Sequence, residues 1–254
     1  MGDDIPVIAI VTINFNNLDG LINTLESVNI QKDTYFEHII VDGASTDGSV
    51  EYLRNFNSSE NIKVKIITEP DNGIYDAMNK GIKASNAKYI MFLNSGDCFV
   101  SEAVVWQNNF AILENDFPDV IFSNIIFGKT EKPTRVWRPG EMKRYKLFLG
   151  WMPPHPSTIV NSQLFERYGY FNTDFKIAAD YDFLLKILVL NRVKSVYLDM
   201  LSVAQEPGGI SNRNIFQILR ANAEVIKSWR LNYSWTPFWI FLLKPLAKFL
   251  QLKF

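Results

Sequence analysis

Apolar and polar positions alternate in blocks along the first hundred residues. Four apolar runs of strand length cover residues 7–13, 38–41, 64–67 and 89–93. Between them, apolar residues recur at helical spacing, with Asn17 placed to cap the first helix and Ile74, Met78 and Ile82 on one stripe of the third. This alternation predicts an α/β fold with a mostly parallel sheet, flanked by helices and joined by right-handed crossovers.

A short polar segment follows each predicted strand. The four segments begin at Asn14, Asp42, Glu69 and Asn94. In sheets of this type, ligands bind beyond the carboxyl ends of the strands. We therefore expect these segments to form one polar site at that edge of the sheet.

The pattern is looser beyond residue 100. It predicts a strand over 120–122 and helices over 101–114, 180–190 and 215–229. We divide the chain into a domain of residues 1–212, with halves 1–100 and 101–212, and a helical C-terminal extension of residues 213–254.

The end of the chain, residues 235–252, is a dense apolar tail with interspersed lysines. Its uncharged run, residues 231–243, is too short to span a bilayer, which requires about 20 apolar residues. Two interpretations stay open. The tail is either an anchor lying in the plane of a membrane surface or a terminal helix packed on the core.

Charge and composition exclude several classes of protein. A net charge of −1 argues against a nucleic-acid partner held by phosphate neutralisation. One cysteine, Cys98, and two histidines exclude a disulfide framework and a multi-His metal centre. The N-terminus lacks the basic segment of a secretory signal, which predicts a cytoplasmic protein. A basic stretch over 129–146, together with the tail, favours contact with a membrane surface.

Asp97 is the candidate ligand for a divalent metal ion. It follows a buried strand, where a carboxylate is costly unless it binds a cation or hydrogen-bond donors. The chain has neither a P-loop nor a dinucleotide fingerprint, so nucleotide phosphates would be held by Mn²⁺ or Mg²⁺ on a carboxylate. The alternative is that Asp97 caps the helix predicted to begin near Ser101.

Other polar residues have two interpretations each. Asp42, Glu69 and Asp71 are turn residues or acceptors for a nucleotide base or ribose. Asp180 and Asp182 are helix caps, or a general base with a supporting carboxylate. His155, enclosed by prolines, contacts phosphate or metal, or is a surface loop residue. For Asn79 the spacing shows only that it shares a helix face with Asp76, three residues earlier.

Five segments in this order resemble the family 2 glycosyltransferases of the GT-A fold, especially those of bacterial polysaccharide assembly. The segments are VTINFNN (11–17), VDGASTDGS (41–49), EPDNGIYDAMNKG (69–81), FLNSGD (92–97) and KIAADYD (176–182). The resemblance implies a Rossmann-like, GT-A-like sheet. It also implies inverting transfer of a sugar from a nucleotide-sugar donor, with a UDP-sugar as first choice. The acceptor would be a hydroxyl of a glycan or lipid-linked glycan in surface polysaccharide synthesis.

The resemblance also implies roles for single residues. Thr12 and Asn14 would line the nucleotide pocket, Asp42 would contact the base, and Asp97 would be the last carboxylate of the D-x-D motif. Asp180 would be the catalytic aspartate of the E-D pair. The matching segments add further donor contacts at Glu69, Asp71, Asn79, Asn94 and Ser95, and we include His155 as a second metal ligand.

Two motifs depart from the family pattern. The D-x-D motif reads Asn94-Ser95-Gly96-Asp97, so a single carboxylate remains, and the E-D pair reads Ala179-Asp180. Asp182 either compensates for the missing glutamate or is itself the base. The Q-x-x-R-W motif of processive synthases is missing from the sequence, which disfavours a processive polymerase.

Two alternative functions come from other classes. A sugar nucleotidyltransferase would carry a glycine-rich basic loop after the first strand, where this chain has Asn14-Phe15-Asn16-Asn17. The reduced motifs also fit a catalytically inactive nucleotide-binding scaffold at the membrane.

Overall fold

A computed structural model describes residues 7–32, 35–190, 193–206, 215–233 and 239 of the chain. Its first half alternates strands and helices, as the apolar pattern predicts. The elements are β1 (Ile8–Asn14), α1 (Leu18–Asn29), β2 (Phe36–Asp42), α2 (Ser49–Arg54), β3 (Ile62–Thr68), α3 (Ile74–Ala84) and β4 (Tyr89–Phe92).

The second half contains shorter elements, several of which have too few residues to show a period. They are β5 (Cys98–Phe99), α4 (Val104–Glu114), β6 (Val120–Lys129), β7 (Lys132–Trp137), α5 (Arg144–Phe148), β8 (Ile159–Asn161), α6 (Gln163–Tyr168), α7 (Ala179–Leu185), β9 (Ser195–Gln205) and α8 (Ile215–Asn232). The helix expected from residue 101 begins at Val104, and the strand expected over 120–122 runs for ten residues. A π-helical turn, Lys186–Leu190, continues α7.

The described strands form one sheet in the order β3-β2-β1-β4-β8-β6-β9-β5, with β7 paired to β6. The first four strands are parallel, which confirms the predicted α/β arrangement. Beyond β4 the sheet is mixed: β8 is antiparallel to its neighbours, and β5 is antiparallel to β9. The β5–β9 pairing brings the end of β9 beside the segment that follows β4.

Burial explains the sequence pattern of the parallel half. Every residue of β1 and β2 is buried, because helices cover both faces of the sheet. The helix α1 begins where predicted, since the Asn17 side chain accepts a 3.3 Å hydrogen bond from the backbone N–H of Gly20.

The helix α8 packs against α7. Trp229 of α8 is fully buried and donates a 2.8 Å hydrogen bond to the hydroxyl of Tyr181. The domain boundary at 212/213 stays a prediction. In the described part of the chain no helix is both long and apolar enough to cross a membrane. Except for Trp239, the tail 235–252 lies outside the described residues.

Candidate active site

The ends of β1 and β2 are joined through Asp42. Its carboxylate accepts a 2.7 Å hydrogen bond from Asn14 Nδ2 and hydrogen bonds of 2.8 and 2.7 Å from the backbone N–H and hydroxyl of Ser45. Asp42 is fully buried. It therefore orders the loops beneath the surface, and this placement does not support the expected direct contact with a nucleotide base.

The exposed groups at this edge come from the neighbouring loops. Phe15 has 65% of its surface exposed. A Cβ added to Gly43 would lie 2.5 Å from Asp71 Oδ2 and 3.0 Å from Phe15 Cδ2, so both side chains lie against the Gly43 backbone. Glu69 is also exposed, and it forms a 2.9 Å ion pair with Lys80. The edge thus presents an aromatic ring and a carboxylate side by side.

Asp97 lies beside Glu206, the residue that follows β9. Cys98 pairs with Ala204 in the antiparallel β5–β9 ladder, so Glu206 is brought opposite Gly96. The carboxylate of Glu206 lies over Gly96, whose φ of +100° suits a residue without a Cβ. Burial is the main cause that raises the pKa of Asp97 to about 7. A hydrogen bond from the backbone N–H of Glu206 lowers this pKa, and the charge of Glu206 raises it further.

Two more polar atoms lie in the same turn. Asn94 Oδ1 and Ser95 Oγ are shielded from solvent, and neither has a hydrogen-bond partner within the described residues. The turn itself is held by α1, because the Thr24 hydroxyl donates a 2.8 Å hydrogen bond to the Asp97 carbonyl and accepts a 2.9 Å hydrogen bond from the Gly96 N–H. A rigid turn with unpaired oxygen atoms and a buried carboxylate is suited to a cation or to ligand donors.

Asp180 lies in the first turn of α7. It is half-buried, and its Oδ1 accepts a 3.0 Å hydrogen bond from the hydroxyl of Tyr75 in α3. Burial, followed by the charge of Asp180, raises the pKa of Tyr75 well above its usual range, so the phenol stays protonated and donates. The Asp180 carboxylate is therefore partly exposed and oriented by the Tyr75 hydroxyl.

His155 packs on the end of β4 and lies close enough to Asp180 to feel its charge. Its ring stacks on Phe92, with centroids 5.3 Å apart, and Phe92 precedes Asn94 by two residues. Burial lowers the pKa of His155, and the charge of Asp180 opposes that shift. The Nε2 atom has no hydrogen-bond partner among the described residues. His155 is thus placed with Asp180, and its role as a metal ligand stays a prediction.

A family model described as Glycosyl transferase family 2 matches residues 9–177. The chain is a family 2 glycosyltransferase. It is 35% identical over 183 residues to an uncharacterized glycosyltransferase of Mycobacterium tuberculosis, covering 71% of this chain and 68% of the relative. It is 24% identical over 208 residues to a PGL/p-HBAD biosynthesis glycosyltransferase of Mycobacterium bovis, covering 82% and 80%.

Solved structures share the fold of this glycosyltransferase. Staphylococcus aureus TarS 1-349 in complex with UDP matches with a TM-score of 0.61 at 18% identity, over 86% of this chain and 65% of that one. The mannosyltransferase PcManGT from Pyrobaculum calidifontis, in complex with GDP-Man and Mn²⁺, matches with a TM-score of 0.66 at 15% identity, over 96% and 72%. These likenesses confirm the GT-A fold.

The Asp97–Glu206 pair of this glycosyltransferase fits a hard divalent cation. Both side chains offer carboxylate oxygens, and a bound cation would offset the repulsion between the Glu206 charge and an ionised Asp97. Across the described ranges there is no cluster of three or more His, Cys, Asp or Glu residues suited to a metal. The remaining ligands would come from donor phosphates and water, which is usual for Mg²⁺.

Three predicted site residues of the glycosyltransferase serve internal contacts instead. Thr12 is fully buried, and its hydroxyl lies 2.9 Å from His38 Nε2. Asn79 exchanges two hydrogen bonds, of 2.8 and 3.0 Å, with the backbone of Phe171. Asp182 is buried and accepts hydrogen bonds from Ser228 and Asn232 of α8. Their placement supports neither the donor contacts expected of Thr12 and Asn79 nor a base at Asp182.

Sequence reasoning missed Glu206, Tyr75 and Phe15. Tyr75 and Phe15 lie inside quoted segments, and Phe15 is an aromatic residue next to a strand end, a signal that we did not use. Glu206 could not be found in this way, because its proximity to Asp97 depends on the β5–β9 pairing.

Proposed function

We propose that this glycosyltransferase moves a sugar, with inversion, from a nucleotide-sugar donor to a hydroxyl of a glycan or lipid-linked glycan in surface polysaccharide synthesis. The proposal rests mainly on one observation, the partly exposed Asp180 carboxylate held by Tyr75 at the edge where the strands end. UDP-sugar is our first choice of donor. Support comes from TarS, whose crystal structures include complexes with UDP and UDP-GlcNAc.

The donor would bind across the ends of β1, β2 and β4. Phe15 offers a face on which a base can stack, and Asp71 offers an acceptor for the base or ribose. Asp97 and Glu206 would hold Mn²⁺ or Mg²⁺, which neutralises charge on the departing diphosphate. Asn94 and Ser95, with their unpaired oxygen atoms, would complete this region around the diphosphate.

Asp180 would act as the general base. Its carboxylate accepts the proton of the acceptor hydroxyl while that oxygen forms a bond to the anomeric carbon. The bond from the anomeric carbon to the diphosphate oxygen breaks, and its electron pair leaves with the nucleoside diphosphate. Because attack and departure occur on opposite faces, a single displacement inverts the configuration.

The test measures nucleoside diphosphate release from UDP-, GDP- and TDP-sugars with Mn²⁺, comparing the wild type with Asp180→Asn. We expect release with one donor class and a loss of at least about a thousandfold in the variant, with the thermal shift caused by UDP retained. Glu166→Gln, a charge removal at an exposed position of α6, serves as the matched control. Near-normal turnover by Asp180→Asn would contradict the proposed base.

The acceptor would be membrane-borne, with residues 235–252 making the peripheral contact at the cytoplasmic face of the inner membrane. A chain ending at Tyr233 keeps every residue of α8 and removes the tail. We expect it to sediment less with anionic liposomes than the full chain does. Equal sedimentation would refute the membrane contact and leave the transfer reaction unaffected.

A further inference from the structure

One face of α8 is polar, buried and directed at the turn that carries Asp180. Glu224, Ser228 and Asn232 recur every four residues, which places them on the same side of the helix. Glu224 is 8% exposed and Ser228 is fully buried. Buried polar groups on a helix face require partners, and those of α8 are supplied by α7 and the residues before it.

Glu224 binds three consecutive backbone N–H groups. Oε1 accepts a 3.0 Å hydrogen bond from Lys176, and Oε2 accepts hydrogen bonds of 2.8 Å from Ile177 and 2.9 Å from Ala178. Hydrogen bonds to a carboxylate are stronger than those between neutral groups, and these three fix successive peptide planes. The segment immediately before Asp180 is therefore held by a residue 46 to 48 positions away along the chain, on another helix.

The local sequence cannot provide this support. The N-cap residue of α7 is Ala178, and α7 has no side-chain cap of its own. Alanine at 179 also stands where the family pattern has a glutamate. The carboxylate of Glu224 supplies hydrogen-bond acceptors that neither alanine can offer.

The residues after Asp180 are attached to the same helix. Trp229 donates to Tyr181, and Ser228 and Asn232 donate to Asp182 at 2.8 and 2.7 Å. The carboxylate of Asp180 itself is directed to Tyr75 of α3. The backbone around Asp180 is thus fixed by α8, while Asp180 itself stays partly exposed.

We infer that Glu224 is a positioning residue of the transfer reaction, and that α8, which lies beyond the family-matched residues 9–177, is part of the catalytic unit. This inference rests on the proposed function, because it gives Asp180 a role whose geometry matters. A shift of about 1 Å in a catalytic group can cost a hundredfold in rate.

The test compares Glu224→Gln with Glu37→Gln. The amide keeps one acceptor oxygen and turns N–H groups toward the three backbone donors. We expect kcat to fall at least tenfold, with donor KM and UDP affinity within twofold of the wild type. Glu37→Gln makes the same change at a buried carboxylate near the start of β2, which accepts a 3.1 Å hydrogen bond from the backbone N–H of Asn86 and pairs with Lys65 at 3.0 Å, so we expect it to lower Tm comparably and to change kcat less than twofold. A wild-type kcat in Glu224→Gln, or an equal loss in both variants, would overturn the inference.

A shorter carboxylate covers the case in which Glu224→Gln does not fold. Glu224→Asp keeps the charge, but its side chain is one methylene shorter, so the carboxylate lies farther from the three backbone N–H groups. A reduced kcat at unchanged UDP affinity would support the positioning role. If neither variant folds, Glu224 is a structural residue and the inference is wrong.

Hydrogen exchange separates this inference from the proposed function. In the wild type the amides of residues 176–178 should exchange slowly, and at least tenfold faster in Glu224→Gln. A wild type that releases nucleoside diphosphate from none of the donors would refute the proposed function. Hydrogen exchange would still show whether Glu224 holds the amides of residues 176–178. Fast exchange of these amides in an active wild type would refute only the inference.

Discussion

The hydroxyl of Tyr75 donates a 3.0 Å hydrogen bond to Oδ1 of Asp180. The two residues are 105 positions apart, one at the start of α3 and the other at the start of α7. This contact joins the half of the chain that binds the donor in our proposal to the half that carries the base. Because Tyr75 is buried, its hydroxyl is held on the carboxylate rather than on solvent.

Removal of this hydroxyl should slow the reaction without weakening donor binding. Tyr75→Phe deletes one hydrogen bond to a charged group, which is typically worth ~1.5–3 kcal/mol. We expect kcat to fall about tenfold to a hundredfold, with UDP affinity unchanged by calorimetry. Tyr170→Phe, which removes a hydroxyl from a side chain with 38% exposure, is the control. An unchanged kcat in Tyr75→Phe would show that Asp180 is oriented by other groups.

The pairing of Asp97 with Glu206 predicts two opposite effects of Glu206→Gln. Without metal, the variant should be at least as stable as the wild type, because a like charge beside a buried carboxylate is removed. With Mn²⁺ and UDP, its Mn²⁺ affinity measured by electron paramagnetic resonance should be about tenfold weaker, a loss of ~1.4 kcal/mol.

The matched control is Glu102→Gln, which removes an exposed carboxylate that pairs with Lys32 at 2.6 Å. It should bind Mn²⁺ like the wild type. Equal Mn²⁺ affinity in Glu206→Gln and the wild type would remove Glu206 from the cation site and leave Asp97 as its protein carboxylate.

The sequence predicts the parallel half of the fold well for a physical reason. Strands buried on both faces give uninterrupted apolar runs, and the polar residues after them are forced to one edge. This rule led to Asn14, Asp71 and Asp97 as site candidates, whereas Asp180 was chosen as an acidic residue at a helix start, and the roles of all four stay predictions. The mixed half was not predicted, because short strands such as β5 and β8 have no period and their pairing depends on distant residues.

Polar residues near a site are harder to assign than the site itself. Thr12, Asn79 and Asp182 have side chains suited to ligands, yet each is used by a partner far away in the sequence, at separations of 26, 92 and 46 residues. Spacing along one chain does not reveal whether such a side chain faces a ligand or a distant helix. Burial decides this, and burial is a property of the folded chain.

Asp182→Asn should therefore affect stability rather than catalysis. The variant weakens the hydrogen bonds from Ser228 and Asn232 to a buried carboxylate, at a cost of about 2 kcal/mol and roughly 4–8 °C in Tm. Assayed well below its Tm, it should keep kcat within a few fold. Asp180→Asn should show the reverse, with lost turnover and an unchanged Tm. Loss of turnover in Asp182→Asn at full stability would restore it as the base.

His38 makes the fold sensitive to mild acid. Its ring is buried against Thr12, and burial lowers its pKa from 6.5 to about 3. Above pH 6.5 the residue is neutral in both the folded and unfolded chain, so it has no effect on the pH dependence. Between pH 6.5 and about 3 only the unfolded chain takes up the proton, and the free energy of unfolding therefore decreases as the pH falls. From pH 7 to pH 5 this residue alone should lower the free energy of unfolding by about 2 kcal/mol.

Urea unfolding at pH 7 and at pH 5 checks this prediction. Between the two pH values, the free energy of unfolding should fall by about 2 kcal/mol less in His38→Gln, which keeps a polar partner for Thr12, than in the wild type. Identical decreases in the two proteins would mean that His38 accepts a proton in the folded state.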